Sequence, residues 1–233
     1  MLKTVGLSKT YDNGVHALAG LSLQVHDGRM YCLVGPNGAG KSTTINLFLN
    51  YILPTAGAAF VDDISVVDEP LVTRGRLAYV PEQVSLYGAL SARQNIAFFA
   101  RLAGHTKEID YERIIATAGL DPGVLRRRVQ TFSKGMRQRL ALAIAVAKGA
   151  RNLILDEPTS GLDPKAAGEF VDLLSRLRGE GYAILISSHD LFRVREMADA
   201  VGVMRDGTLR AELTARELAT TDLTGLYMDI VGQ

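Results

Sequence analysis

Apolar and polar residues alternate with the period of a strand early in the chain. They then give way to short, wholly apolar runs separated by helical patterns. Leu21, Leu23 and Val25 alternate with polar neighbours, and with Val5, Leu7 and the positions from Ala17 they predict a small β region over residues 2–25. Tyr11-Asp12-Asn13-Gly14 predicts a turn inside it. Met30-Tyr31-Cys32-Leu33-Val34 is apolar throughout, as a strand covered on both faces must be. Residues 43–50, with Ile45, Leu47 and Leu49, predict a helix; Pro54-Thr55-Ala56-Gly57 then breaks the chain before short strands over 58–61 and 76–80. From there to about residue 149 the pattern is helical. Ser91-Ala92-Arg93-Gln94 is a capping box opening a helix to residue 103, and further helices are expected over 110–118 and 134–147. Strand patterns return at 152–156 and 182–188, with helices expected over 165–177 and 190–197. Residues 200–204 and 208–213 read as two edge strands across the Asp206-Gly207 turn, ahead of a weakly helical tail.

Buried strands alternating with helices predict an α/β fold with a parallel sheet. The expectation is one domain over residues 1–233: a core from 1–84 and 150–233 that carries an N-terminal antiparallel β region, and an inserted helical lobe over 85–149. Composition changes this picture little. Lys plus Arg (26) nearly balance Asp plus Glu (25), so bulk charge argues against a nucleic-acid partner. Arg126-Arg127-Arg128 reads as a solvated face. The single cysteine, Cys32, excludes an intramolecular disulfide and a cysteine-based zinc cluster. No apolar run approaches the roughly 20 residues that span a bilayer, and the start lacks a signal-peptide layout. A soluble, cytoplasmic chain is expected, with any membrane role coming through a partner.

Chemistry enters at Gly35-Pro36-Asn37-Gly38-Ala39-Gly40-Lys41-Ser42-Thr43, which fits G-x-x-x-x-G-K-[ST] and lies between a predicted strand and a predicted helix. A glycine-rich turn with an incidental lysine would need neither flank. Glycines let backbone N–H groups turn inward around phosphate oxygens, and the helix N-terminus adds its positive end. Lys41 can reach β- and γ-phosphates, and the Ser42 hydroxyl can ligate Mg²⁺. The fold expectation becomes a P-loop NTPase core binding ATP. Leu153-Ile154-Leu155-Asp156-Glu157 delivers two carboxylates at a strand's C-terminal end, where open α/β sheets bind ligands. Neighbours on a strand point to opposite faces, so Asp156 is assigned to the metal shell and Glu157 to polarising an attacking water.

Phe132-Ser133-Lys134-Gly135-Met136 resembles the signature of ATP-binding-cassette (ABC) ATPases. Ser160-Gly161-Leu162-Asp163 resembles their D-loop, Ser187-Ser188-His189 their switch histidine, Tyr11 their adenine-stacking aromatic, and Pro81-Glu82-Gln83 their Q-loop. The resemblance covers essentially the whole chain in order. It implies a homodimer or heterodimer of ATPase subunits that sandwiches two ATP molecules head to tail. Ser133, Lys134, Gly135 and Met136 would then face the nucleotide held by the opposite subunit, Asp163 would align the subunits, and His189 would act with Glu157 in catalysis. It also implies a membrane permease subunit, met by a surface near Tyr87, Phe98 and Phe99, although both phenylalanines could equally be lobe core. The chain would lie peripherally on the inner face of the cell membrane.

Two positions depart from the usual motifs. Lys134 replaces the signature's first glycine and Met136 its last glutamine, variants similar to those in exporters. In the Q-loop, Glu82 directly follows the proline and Gln83 comes next, so Glu82 is the candidate metal ligand with Gln83 as its alternative. A soluble-partner ABC ATPase, such as one serving an iron–sulfur scaffold, is the second expectation. A translation or DNA-repair cassette is disfavoured by the single cassette and the lack of a basic surface. An ordinary P-loop kinase would leave Ser133 to Met136 and His189 without a role.

Overall fold

In the computed structural model, which describes residues 1–104 and 108–232, the strands form a four-stranded and a six-stranded sheet. Strands β1 (Leu2–Thr10), β2 (His16–Val25), β4 (Ala56–Val61) and β5 (Ile64–Ser65) make the smaller, antiparallel sheet in the order β2-β1-β4-β5. The larger sheet contains β3 (Met30–Val34), β6 (Leu77–Val80), β7 (Asn152–Asp156), β8 (Ala183–Ser188), β9 (Ala200–Arg205) and β10 (Thr208–Thr214). Its order is β10-β9-β3-β8-β7-β6, parallel throughout except where β10 joins β9.

Period-two alternation sorts the core. Met30, Cys32, Val34, Leu153, Leu155, Ile184 and Ile186 face one side, against Phe170 and Leu173 of α6 (Pro164–Gly179) and Val194 of α7 (Leu191–Met197). Tyr31, Leu33, Ile154 and Leu185 face the other, against the antiparallel sheet's Leu2, Leu7 and Leu23 and against Ile45 and Phe48 of α1 (Lys41–Phe48). Covered on both faces, β3 has no solvent side on which a polar residue could be placed. Burial also pushes the Cys32 thiol well above its ordinary pKa, as suits a packing residue.

A third cluster is helical. It joins α3 (Ala92–Leu102), α4 (Tyr111–Thr117) and α5 (Lys134–Ala147) through Ile96, Ile115, Leu140 and Ile144. The Ser91 capping box forms: the Gln94 N–H donates to Ser91 Oγ at 3.2 Å and the Ser91 N–H to Gln94 Oε1 at 2.8 Å. Helix α5 begins and ends at the expected residues, and its start is set by Ser133, which caps it by accepting from the Met136 N–H at 3.2 Å. Phe99 packs against this cluster, while Phe98 stays exposed. Arg126, Arg127 and Arg128 are exposed, as expected.

Several expectations need correction. Helix α1 begins at Lys41 rather than at 43, and β4 at Ala56 rather than at 58. Residues 200–205 form an interior strand, not an edge, because β9 lies between β3 and β10. The short helix α2 (Pro70–Arg76) lies outside every predicted element, whereas the tail is helical as expected, in α8 (Ala215–Thr220) and α9 (Leu223–Val231).

Candidate functional site

Strands β3, β8 and β7 are neighbours running in one direction, so their C-terminal ends open on a single edge. From β3 comes the loop ending in Gly40, from β7 come Asp156 and Glu157, and from β8 come Ser187, Ser188 and His189. The phosphate-loop pattern and the paired carboxylates, remote in sequence, meet at this edge.

The loop is walled from behind. A Cβ on Gly35 would strike the Met204 carbonyl oxygen, and one on Gly40 (φ 104°) would lie 2.7 Å from the Ala17 carbonyl oxygen. The Gly207 N–H donates to the Ala39 carbonyl at 3.1 Å, tying the β9–β10 turn to the loop's outer side. Helix α1 then starts directly after Gly40, without a side-chain cap. The N–H groups of its first turn, from Lys41, Ser42 and Thr43, have no acceptor within the helix. Lys41 is buried, and its Nζ donates to the carbonyls of Gly35 at 2.5 Å and Pro36 at 3.1 Å. Burial lowers its pKa below the ordinary lysine value, and the charges of Glu157 and Asp156 oppose that shift. A desolvated ammonium beneath unpaired amides fits a phosphate chain. Among the described residues no group of three or more His, Cys, Asp or Glu could hold a metal ion. Mg²⁺ would therefore be held at Ser42, Asp156 and Glu82 only together with phosphate oxygens and water.

Asp156 ends β7, and its Oδ1 accepts from Ser187 Oγ. Tyr79, on the adjacent β6, has its phenol pushed up to about 12, by burial first and then by the charge of Asp156. Glu157 is not placed by strand alternation. Its φ of 45° puts it in the left-handed region, where the chain turns out of the sheet. Ser187 fixes that turn: the Glu157 N–H donates to the Ser187 carbonyl at 3.1 Å and lies 3.2 Å from Ser187 Oγ. Glu157 Oε2 accepts from His189 Nδ1 at 2.8 Å and from the His189 N–H at 3.3 Å. This pairing leaves the imidazole Nε2 unused. The Glu157 side chain is 17% exposed and that of His189 68%, so the dyad lines the wall of an open site.

A second group gathers around the D-loop. Glu82 Oε1 accepts from Ser160 Oγ at 2.8 Å, and Lys134 Nζ donates to the Ser160 carbonyl at 2.5 Å. Gly135 is buried under Leu162, and Met136 packs its side chain against the helical cluster. Ser133 is exposed at the head of α5, and Asp163 caps α6 by accepting from the Ala166 N–H at 2.9 Å. Tyr11 is half-buried at the β1–β2 turn, with Lys9 Nζ 5.4 Å from its ring centroid. That turn leads into Ala17, the wall of Gly40. Ser187, Ser160 and Gly207 were not assigned these contacts from sequence. Ser187 and Ser160 lie inside recognised motifs, and Gly207 inside a recognised turn.

Residues 18–160 match the family of ABC transporters, from β2 through the phosphate loop and signature to Ser160. The chain belongs to the ABC transporter family. It is 35% identical over 222 residues to the daunorubicin/doxorubicin resistance ATP-binding protein DrrA of Streptomyces peucetius, covering 94% of this chain and 67% of that protein. To the doxorubicin resistance ATP-binding protein DrrA of Mycobacterium tuberculosis (strain H37Rv) it is 35% identical over 218 residues, 91% of this chain and 65% of the relative. To ABC transporter A family member 1 of Dictyostelium discoideum it is 30% identical over 98% of this chain but only 27% of the relative. The cassette thus spans about two thirds of the DrrA proteins and about a quarter of the Dictyostelium protein.

Among solved structures, an ATP-binding subunit of an ABC transporter superposes with a TM-score of 0.87 at 29% identity, covering 99% of both chains. A dimeric cassette in a post-hydrolysis state, bound to ADP and Pi, gives 0.80 at 26% identity, covering 93% of this chain and 99% of that one. The fold is that of an ABC cassette, the enzymatic class is that of an ABC ATPase, and such a cassette binds ATP or ADP.

Proposed function

We propose that this chain is the ATP-hydrolysing subunit of a membrane exporter, working as a dimer that closes on ATP and Mg²⁺. The observation that carries the reading is the convergence of Lys41, Asp156 and the Glu157–His189 pair at the ends of three adjacent parallel strands. The amides of Gly38 and of Gly40 to Thr43 and the Lys41 ammonium bind phosphate oxygens, while Gly35, Pro36, Asn37 and Ala39 shape the loop, the Ala39 N–H donating to the Pro36 carbonyl at 3.2 Å. Tyr11 stacks on the base. Ser42, Glu82 and Asp156 share the metal's shell, with Asp156 oriented by Ser187. Glu157 takes the proton of the attacking water, and His189, held through Nδ1, keeps Nε2 for the γ-phosphate.

Ser133, with the signature turn of Lys134, Gly135 and Met136, faces the nucleotide of a second cassette, and Asp163 lies at the seam. The division into a nucleotide core and an 85–149 lobe is part of the same reading. Between α2, β6 and α3 runs a groove of about 830 Å³, whose lining includes Tyr51, Leu71, Phe99 and Leu102. Leu71 is 81% exposed and Leu102 73%, an unusual share of apolar surface to leave in water. Tyr87 and Phe98 stack edge to face beside it, with centroids 4.9 Å apart. A permease seats there, which holds the cassette peripherally on the inner face of the membrane. Among the described residues no helix is long and apolar enough to cross a membrane. The drug-resistance relatives favour export.

Glu157→Gln tests the reading. It keeps the volume of the side chain but cannot accept the proton, and a positioned base contributes about 10²–10⁴-fold to such a step. With ATP and Mg²⁺ the variant is expected to accumulate as a dimer by size-exclusion chromatography with light scattering, and with ADP to remain monomeric. Hydrolysis at the parent rate would place the base elsewhere.

A further inference from the structure

Two side chains depart from the family's usual motifs, Glu82 in the Q-loop and Lys134 in the signature, and the fold brings both onto one residue. Ser160 Oγ donates to Glu82 Oε1 at 2.8 Å, while the Ser160 carbonyl accepts from Lys134 Nζ at 2.5 Å. The Ser160 N–H donates to the Glu157 carbonyl at 3.1 Å. One residue therefore bonds to the hydrolytic turn, the Q-loop and the signature helix. A glycine at 134 has no side chain with which to make the second of these bonds.

The surroundings are built to the same plan. Gly161, at φ 64°, lies so close that a Cβ there would meet Lys134 Nζ at 3.2 Å. Leu162 covers Gly135, its Cδ2 3.6 Å from where a Cβ on that glycine would stand. The D-loop thus lies along the first turn of α5. A cation bonds the carbonyl of Ser160 and a carboxylate its hydroxyl, and charge-assisted bonds of this kind are the stronger ones.

We propose that Lys134 and Glu82 are positioning residues that clamp Ser160, so that the turn after Glu157 and the signature of the same chain move as one body. A further consequence rests on the dimer reading given above. There, Glu82 and Glu157 serve a chain's own nucleotide, whereas its signature faces the nucleotide of the second cassette. The clamp then carries the state of one site to the other through a single residue.

The experiment has two arms. In the first, hydrogen exchange of the Ser160 and Leu162 amides is followed on the full chain without nucleotide and in EDTA. Both amides are bonded inside the loop, to Glu157 and Thr159. Lys134→Met and Ser160→Ala should each speed exchange by about fivefold, the effect of losing one net hydrogen bond. Lys134→Arg and Glu82→Gln keep donor and acceptor and should stay within about twofold of the parent. Glu82→Ala and Ser160→Ala remove the same bond, so their double variant should exchange no faster than the faster single one. Parent-like exchange in both Lys134→Met and Ser160→Ala, at unchanged melting temperature, overturns the clamp.

In the second arm, Lys134→Met is added to Glu157→Gln and the ATP concentration for half-dimerisation is measured. A rise of about tenfold, reversed by Lys134→Arg, supports coupling between the sites. An unchanged concentration despite fast exchange overturns the coupling and leaves the clamp standing. If Glu157→Gln never dimerises, the dimer reading fails and the coupling with it, while the exchange arm still decides the clamp.

Discussion

A non-glycine residue at φ 45° costs of order 1–3 kcal/mol, and Glu157 is kept there by the two contacts of its N–H with Ser187. The strain aims the carboxylate at His189 instead of along β7. Glycine adopts this backbone freely, so Glu157→Gly is expected to raise the melting temperature while lowering kcat at least about 100-fold. Equal or lower thermal stability by calorimetry would count against stored strain. Lys41 carries the opposite kind of cost. Its pKa is lowered by burial, so the protonated form is penalised in the folded chain. At neutral pH the folded protein bears that penalty in full. As pH rises through the lowered folded value toward 10.5, the folded chain gives up the proton first and stability recovers. Lys41→Met should therefore melt higher than the parent at neutral pH while losing ATP binding by calorimetry. The difference in melting temperature should narrow as pH rises toward the lysine range. A constant gap would assign the stabilisation to packing.

Among the elements, the β9–β10 turn holds the phosphate loop in shape. Gly207 sits at φ 73°, accepts from the Ala19 N–H at 2.9 Å and donates to the Ala39 carbonyl at 3.1 Å. A Cβ there would lie 2.7 Å from the Ala17 carbonyl oxygen. Gly207→Ala is expected to cost about 1–3 kcal/mol of stability and to weaken ATP binding about tenfold, read by denaturant titration and calorimetry. Full affinity in the variant would free the loop from this turn. The turn itself was legible from Asp206-Gly207, but its service to a loop so far back in the chain was not. Local patterns found β3, β7 and α5 to the residue, because a fully apolar run or a serine cap is written in adjacent positions. Helix α2 escaped because Leu71 and Val72 are exposed, which leaves no apolar stripe to read. The early start of α1 and the left-handed Glu157 have a common reason. At both places contacts from residues distant in sequence set the backbone, and local propensity rules read from sequence do not cover them.

For the whole molecule, the motif order and the delivery of Asp156 and Glu157 at a strand's end were legible in sequence, but the pairing of Glu82 and Lys134 through Ser160 required the packed structure. The groove between α2, β6 and α3 offers a separable test. Lys148 lines it as well, bonded to the Leu77 carbonyl at 3.2 Å, with its pKa lowered by burial. Leu102→Asp places a charge on this exposed surface, at a residue that is not among those proposed to bind or hydrolyse the nucleotide. It should leave the isolated cassette's ATPase rate within about twofold and abolish any stimulation by the reconstituted permease. Undiminished stimulation would move the docking surface elsewhere. The backing of the phosphate loop has one more consequence, for synthesis. Gly35 leaves the ribosome early, yet Met204, whose carbonyl walls it, and Gly207, whose N–H donates to the Ala39 carbonyl, are added only after nearly all of the larger sheet has been made. At about 5–20 residues per second this is a wait on the order of ten seconds. During that wait the loop has Ala17 and Leu18 behind Gly40 but not Met204 behind Gly35, so ATP is expected to steady a half-made chain less than the finished one. Maturation of the nascent cassette then rests mainly on its apolar core until the turn at Gly207 closes.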